Sequence, residues 1–363
     1  MVFRVTQMFG LNSLLVMIPV TFLLERYQAD SIWICLTSAL AIIPLARLMA
    51  EATEALSDFL GPTAGGLLNA SLGNAPEIII GYFALKQGLI DMVKASITGS
   101  ILGNLLCGVG LILLSRLPTD QDRSVHYDLD VFKVHCGMLV LATFGLIIPA
   151  VFDFSTSSEK EISLEISVVL FLMYLQTVAS TFFSRGPIQG VDDELEILRL
   201  EDERLNSNQA GSPLTALLSL TFVTFLLALM SERMTDGLDP AAQKLGLSSV
   251  FVGVFLLALL GNVADLLNVV RFARKGKVDL AMGIMLGSSS QMALMVAPCL
   301  VFLGVLFGVE MNLLFSKYEL LAVIMTVTAV SSFLSSGKVK PRVGFSFVAL
   351  YGMLGIGFYY APG

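Results

Sequence analysis

The sequence predicts an all-α integral membrane protein of about eleven transmembrane helices: one extra N-terminal helix, then two inverted five-helix repeats joined by a cytoplasmic acidic helix. Three observations support this fold: an apolar composition, apolar runs long enough to span a membrane, and an internal repeat. Hydrophobic residues make up 55% of the chain and charged residues only 14%. Because so little polar surface cannot cover one soluble core, the composition favours a lipid environment.

The apolar residues fall into eleven runs, each near the roughly 20 residues that cross about 30 Å of hydrocarbon. The first run has no small-residue cleavage site and leads directly into the second, so we expect a retained helix instead of a removed signal peptide. The runs lie near residues 11–24, 31–49, 62–85, 92–115, 131–152, 162–183, 213–231, 248–270, 279–307, 316–336 and 343–360.

These runs divide the chain into four predicted parts. The linker between the sixth and seventh runs mixes acidic and leucine-type residues and is set off by Gly211 and Pro213, which predicts a helix. This helix either senses cations or is only a solvated charged helix. The predicted parts are the extra N-terminal helix (1–27), the first five-helix repeat (28–186), the acidic linker (187–212) and the second five-helix repeat (213–363).

The basic residues predict an orientation. If the loops alternate between two faces, fifteen of the 22 Lys and Arg residues lie on the face that holds the N-terminus, and seven lie on the other. Positive residues favour the cytoplasm, so we expect the N-terminus inside and the C-terminus outside. The compact chain favours a prokaryotic cell (inner) membrane over an organellar or vacuolar one.

Shifting the sequence by 188 residues aligns the third run with the eighth and the fourth with the ninth, with eleven identities between residues 65 and 106 and their partners. The copies are five helices apart, an odd number, so the second copy should cross the membrane in the opposite sense. Inverted repeats with a site near the bilayer midplane are typical of secondary transporters. The alternative is a duplication retained only for packing.

Each repeat carries one acid in an apolar run. The third run reads Gly-Asn-Ala-Pro-Glu and ends this motif in Glu77, whereas the eighth reads Gly-Asn-Val-Ala-Asp and ends it in Asp265. A carboxylate at the centre of a membrane helix costs around 2.5 to 3.5 kcal/mol on insertion scales. Two such acids at matched positions therefore indicate a functional site.

The first motif also predicts a broken helix. Pro76 lacks an amide hydrogen and its ring clashes with the carbonyl four residues earlier, while Gly73 loosens the same turn. Irregular backbone at membrane depth persists where it faces protein or a water-filled cavity, and the freed carbonyl groups can then bind ions. The second motif has Gly261 but no proline, so we expect a weaker break there.

The residues of the two motifs favour a hard divalent cation. Calcium takes six to eight oxygen ligands from carboxylates, amides, backbone carbonyls and water. Glu77, Asp265, Asn74, Asn262 and the carbonyl groups near the two glycines form such a set, and two carboxylates match the charge of the ion. With neither Cys nor His beside them, a site for zinc or copper is disfavoured. Protons and metal would compete for the same acids.

A second matched pair precedes the motifs: Thr53 with Glu54, and Ser231 with Glu232. We assign these residues to proton passage or gating, with two ordinary interfacial glutamates as the alternative. Further polar residues follow the motifs and are expected to support the ion-binding groups. They are Ser100, Asn104, Ser288 and Gln291. For the two amides, direct binding of the ion is also open, and for the two serines the favoured alternative is close packing of helices.

Taken together, these residues resemble the cation/proton exchanger family of the calcium/cation antiporter superfamily. The resemblance is carried by three segments: 65–77, 99–104 and 289–298, the last reading Ser-Ser-Gln-Met-Ala-Leu-Met-Val-Ala-Pro. It implies calcium export against proton entry, with Glu77 and Asp265 as the metal pair. The family's second motif usually ends in glutamate and histidine, where this chain has Asp265 and Leu266, so the ion could be another divalent cation.

Three alternatives remain open: sodium/calcium exchange, exchange of another cation, and a cation channel. An enzyme is disfavoured because the sequence has no nucleophile paired with a base, no HExxH pattern and no glycine-rich phosphate loop. We expect no cofactor, with Ca²⁺ and H⁺ as transported ions, the lipid bilayer as surroundings, no nucleic-acid partner and a possible homo-oligomer.

Overall fold

The computed structural model describes residues 11–117, 124–151, 159–183, 212–309 and 311–361. Nearly all of the predicted acidic linker lies outside these ranges. The helices are α1 (Met17–Arg26), α2 (Ser31–Leu72), α3 (Ala75–Lys86), α4 (Ile90–Ser115), α5 (Leu129–Val151), α6 (Glu159–Phe183), α7 (Pro213–Leu245), α8 (Ser249–Arg274), α9 (Val278–Phe307), α10 (Lys317–Leu334) and α11 (Val343–Tyr360), and two short antiparallel strands are β1 (Val125–His126) and β2 (Lys338–Val339).

The structure confirms an all-α membrane fold. Within the described residues, nine helices are long and apolar enough to cross a membrane. The predicted number of about eleven spans is not confirmed by this criterion. Helix α1 has only 10 residues, and the third predicted run is divided between the end of α2 and the short α3, so neither piece is long enough alone.

Helices α2 and α7 are longer than their apolar runs predict. The run 31–49 continues as helix α2 to a kink at Gly61, where φ is 76°, and the run 213–231 continues to Leu245. Both extensions are stabilised by packing, because the buried faces of the two helices form one apolar cluster. Within the two extensions, this cluster includes Ala52 of α2 and Met234, Leu238 and Ala242 of α7.

The predicted break in the first motif is confirmed. Helix α2 ends at Leu72, and α3 begins at Ala75 with Pro76 in its first turn, where a missing amide hydrogen does no harm. Asn74 between them has φ −107° and ψ 21°. Helix α8 instead runs without interruption through Gly261, as expected for a motif without proline.

Matched backbone features recur in the two halves at the 188-residue spacing. Gly88 before α4 and Gly276 before α9 both adopt a positive φ, 76° and 87°, which glycine tolerates because it has no Cβ. Helices α4 and α9 each contain a π-helical turn, at Gly103–Gly108 and Met292–Val296. These features support an internal repeat, while the limits of the two repeats stay a prediction.

The two halves meet most tightly where α4 crosses α8. A methyl group at Gly99 of α4 would overlap the backbone of Val254, and one at Gly253 of α8 would overlap Ala95 and the carbonyl oxygen of Met92. Small residues allow this close approach of helix backbones in membranes. Both glycines therefore hold the halves together beside the two motifs.

We expect Gly99→Ala to destabilise the protein, because backbone atoms of α8 must move to admit the new methyl group. Overpacking of this kind costs about 1 to 3 kcal/mol. The measurement is the midpoint of thermal unfolding in detergent. The matched control is Gly103→Ala, for which the described residues place a single atom within 4 Å of the new methyl group, the Tyr351 hydroxyl at 3.9 Å. Equal midpoints for the two variants would contradict the tight crossing.

Candidate cation site between the two halves

The carboxylate of Glu77 lies against the second motif. Glu77 is in the first turn of α3, immediately after the break. A methyl group at Gly261 of α8 would lie 2.9 Å from Glu77 Oε1 and 3.0 Å from its Cγ. The absent side chain at Gly261 is therefore what allows an acid of the first half to touch the backbone of the second.

Asp265 follows Gly261 by one helical turn and is half-buried. Its carboxylate is close enough to interact electrostatically with that of Glu77. The structure thus brings the two predicted acids into one region, each from a different half of the chain. Two like charges at membrane depth repel each other, so a cation or protons between them would be stabilising.

A small cavity lies beside Glu77. Helix α4 contributes Ser96 and Ser100 to its wall, and α9 contributes Met292. Ser100 was predicted near the ions, whereas Ser96 and Met292 were missed. Ser96 precedes Ser100 by four residues and so shares its helix face, a signal that the sequence offered. The Met292 thioether gave no such signal.

Two amide side chains bridge the halves around the site. Asn74, in the break, donates from Nδ2 to Gln291 Oε1 of α9 at 2.5 Å. Asn104 of α4 donates from Nδ2 to Ser288 Oγ of α9 at 3.1 Å. All four residues were selected from the sequence, and the structure pairs each one from the first half with one from the second. These bonds fix the orientation of the amide groups.

Three buried oxygen atoms at these positions accept no hydrogen bond from the described residues: Glu77 Oε2, Asn104 Oδ1 and Asn262 Oδ1. Asn262 uses its other amide atom, Nδ2, to donate to the Ala258 carbonyl at 2.9 Å. Buried polar atoms are normally paired, so three unpaired oxygens in one region need an explanation. Buried oxygen atoms that accept no hydrogen bond are free to bind a hard cation.

Within the described ranges, no three His, Cys, Asp or Glu side chains come together in a group that could hold a metal ion. A cation bound here would therefore rely on two carboxylates together with amide and backbone carbonyl oxygens. That mixed set of oxygens suits Ca²⁺ better than a softer ion.

Of the residues assigned to proton passage, Thr53 and Glu54 lie on α2, and Ser231 and Glu232 lie on α7. Thr53 and Ser231 are 1% and 0% exposed, and neither hydroxyl has a hydrogen-bond partner among the described residues. Glu54 is half-buried. Glu232 is bound by the Lys86 ammonium at 3.4 Å and the Arg233 guanidinium at 3.0 Å. This ion-pair cluster favours the interfacial alternative for Glu232, and the gating role stays a prediction.

A family described as sodium/calcium exchanger protein matches residues 30–183 and 215–360. The chain belongs to this sodium/calcium exchanger family. Its two matched blocks cover all of the motif residues described above, and the family is one of transporters. The motifs also indicated a resemblance to cation/proton exchangers, and relatives named Ca(2+)/H(+) antiporters confirm it.

Two of these relatives come from bacteria. A Ca(2+)/H(+) antiporter of Aphanothece halophytica is 34% identical, and the alignment covers 96% of each chain. The Ca(2+)/H(+) antiporter ChaA of Bacillus subtilis is 35% identical over 88% of this chain and 89% of its own. Among solved structures, native YfkE is 31% identical with a TM-score of 0.79, covering 95% of this chain and 97% of its own.

Proposed function

We propose that this protein is a secondary active antiporter that exchanges Ca²⁺ for H⁺ across a membrane by alternating access. The observation that carries the proposal is the contact of Glu77 with Gly261, within electrostatic range of Asp265. Two buried oxygens of the motifs, Glu77 Oε2 and Asn262 Oδ1, accept no hydrogen bond from the described residues. The relatives named Ca(2+)/H(+) antiporters support the choice of the two ions.

Coupling follows from competition for one site. Desolvation disfavours a charged carboxylate, whereas a bound cation favours it. Glu77 and Asp265 can therefore be neutralised either by one divalent cation or by protons, but not by both together. If the protein changes the side of access only when the pair is neutralised, each turnover exchanges one kind of ion for the other.

Asymmetric packing of the two halves supports alternating access. Gly99 of α4 packs directly on the backbone of α8. The repeat-matched residue in α9 is Gly287, and the atom nearest to a methyl group there would be His135 Cε1 at 3.5 Å. The tight crossing formed on one side of the site is thus not repeated at Gly287. In an inverted repeat, exchanging these two packing arrangements opens the site to the opposite face.

We place the N-terminus in the cytoplasm, from the distribution of Lys and Arg. In that orientation the tight α4–α8 crossing lies on the outer side of the site, and the looser packing at Gly287 lies on the cytoplasmic side. The state described would then admit cations from the cytoplasm. The bacterial relatives favour a prokaryotic cell membrane.

The variant Gly287→Ala distinguishes alternating access from a role of Gly287 in packing alone. Its methyl group fits the present structure, since 3.5 Å is an ordinary contact, so the unfolding midpoint should equal that of wild type. Transport should slow by about 10-fold, because the new methyl group obstructs the tight crossing required in the opposite state. The measurement is the initial rate of calcium uptake into liposomes. A variant with the wild-type rate would contradict the exchange of packing arrangements.

The proposed function is tested by purified protein in liposomes with an imposed pH gradient. We expect uptake of Ca²⁺ together with proton counterflow, both absent from protein-free liposomes. Parallel assays with Mn²⁺ and Na⁺ identify the cation, since Asp265 is shorter than the usual glutamate. Calcium flux without a pH signal would indicate a channel, and flux driven by a sodium gradient would indicate sodium/calcium exchange. Either outcome would overturn the proposal.

A further inference from the structure

Helix α8 carries a polar residue that the cation site does not yet include. Asn268 lies one turn beyond Asp265 and about 9 Å before Arg274, counting 1.5 Å per residue. It is half-buried. No hydrogen bond joins its amide to another residue in the described part of the chain. An unbonded amide within a membrane-spanning helix is unusual unless it faces water, an ion or a polar neighbour.

The helical geometry directs Asn268 toward the site. At about 100° per residue, Asn268 is roughly 20° from Gly261 around the helix axis and roughly 60° from Asp265. The lipid side of α8 is marked by Leu256, Leu259 and Leu267, which are 43%, 44% and 43% exposed. Asn268 is turned about 100° from Leu267. It therefore extends the face that carries Gly261 and Asp265.

The internal repeat gives an independent argument. The residue that matches Asn268 at the 188-residue spacing is Ile80. Ile80 lines the cavity beside Glu77, so its counterpart is expected to line the equivalent space beside Asp265. The first half thus places an apolar side chain at this position, whereas the second half places an amide oxygen.

We infer that Asn268 is an additional cation-binding residue, which supplies an amide oxygen to a divalent cation moving between Asp265 and the end of α8 at Arg274. The inference rests on the proposed function. Amide oxygens are regular ligands of hard divalent cations. Asp265 has a shorter side chain than Glu77, so a further oxygen on the same face extends the reach of the second half. In the first half, the matched position beside Glu77 is Ile80, whose side chain has no oxygen.

The test compares Asn268→Ile, which copies the residue of the first half, with Asn268→Asp, which keeps an oxygen. In proteoliposomes sorted by orientation, Asn268→Ile should raise the apparent KM for Ca²⁺ about 10-fold when the ion is added on the side of Arg274, as expected for loss of one supporting ligand. The KM from the opposite side should change less than the KM from the Arg274 side. Asn268→Asp should keep a KM near that of wild type.

Leu267→Ile, on the lipid side, is the control for insertion and folding, and unfolding midpoints of all variants check stability. Wild-type exchange with an unchanged KM in Asn268→Ile overturns this inference and leaves the proposed function intact. An equal rise of KM from both sides also overturns it, because the residue would then act on the central site. A wild-type protein without calcium-driven proton movement overturns the proposed function itself, and the inference with it.

Discussion

Glu77→Gln is expected to reduce calcium-driven proton release to the level of protein-free liposomes. Glutamine keeps the size of the side chain and one oxygen, but its amide neither carries a charge nor takes up and releases a proton near neutral pH. Of the two acids that the described residues bring together, Asp265 alone would keep its charge, and one carboxylate cannot balance the charge of a divalent cation. The measurement is the pH change inside liposomes after addition of Ca²⁺.

The matched control is Glu165→Gln, on the exposed surface of α6. It makes the same chemical change away from the site and should leave proton release at the wild-type level. Asp265→Asn should behave like Glu77→Gln, because each half contributes one charge. Proton release that persists in either variant at the site would show that the exchanged protons are carried elsewhere.

The second large effect is expected from Gly261→Ala, a change of one methyl group on an uncharged residue. The methyl group would lie 2.9 Å from Glu77 Oε1 and 3.2 Å from its carboxyl carbon, so the carboxylate must move away from α8. Displacing a ligand of a cation site typically costs more than the 10- to 100-fold affinity lost with supporting groups. We expect calcium-dependent transport to fall by at least about 10-fold.

Gly352→Ala is the control for this change, because a methyl group on that glycine of α11 would meet no atom of the described part of the chain within 4 Å. It should transport calcium at the wild-type rate. The apparent KM for Ca²⁺ decides the prediction: if Gly261→Ala keeps the wild-type KM, the contact between Glu77 and Gly261 does not define the site.

The central part of the site could be predicted from the sequence because its causes are local. A proline breaks a helix when it lies beyond the first turn, so Pro76 favours the start of a new helix. Helix α3 begins at Ala75, directly before it. The repeat then related Glu77 to Asp265 without any knowledge of the fold. Inverted repeats bring matched segments together at one midplane, which is why two distant acids are neighbours here.

Other features depend on tertiary packing and left little trace in the sequence. The apolar run of α2 stops near residue 49, but its helix continues to a kink at Gly61 because α7 packs along it. Glu232 looks like the partner of Glu54, yet Lys86 and Arg233 surround it in the folded chain. Such partners come from separate elements, so no single pattern could predict them.

Some residues near the site have no identical counterpart in the other half, so the internal repeat did not indicate them. Asn268 stands where the first half has Ile80, so a search restricted to identical pairs passes over it. Ser96 and Met292 were missed in the same way, since the residues matched to them are not serine and methionine. Positions at which the two repeats differ can therefore belong to the site, as identical positions do. The lining of the cavity beside Glu77 indicates which of the differing positions lie near the site.

The most direct measurement is a density map of the purified protein prepared with Mn²⁺ or Ca²⁺, in which the cation can be located. If the two halves share one site, a single ion peak will lie about 2.3 to 2.6 Å from a carboxylate oxygen of Glu77, with Asp265 on its other side. An ion bound to only one of these acids, or to neither, would contradict a shared site.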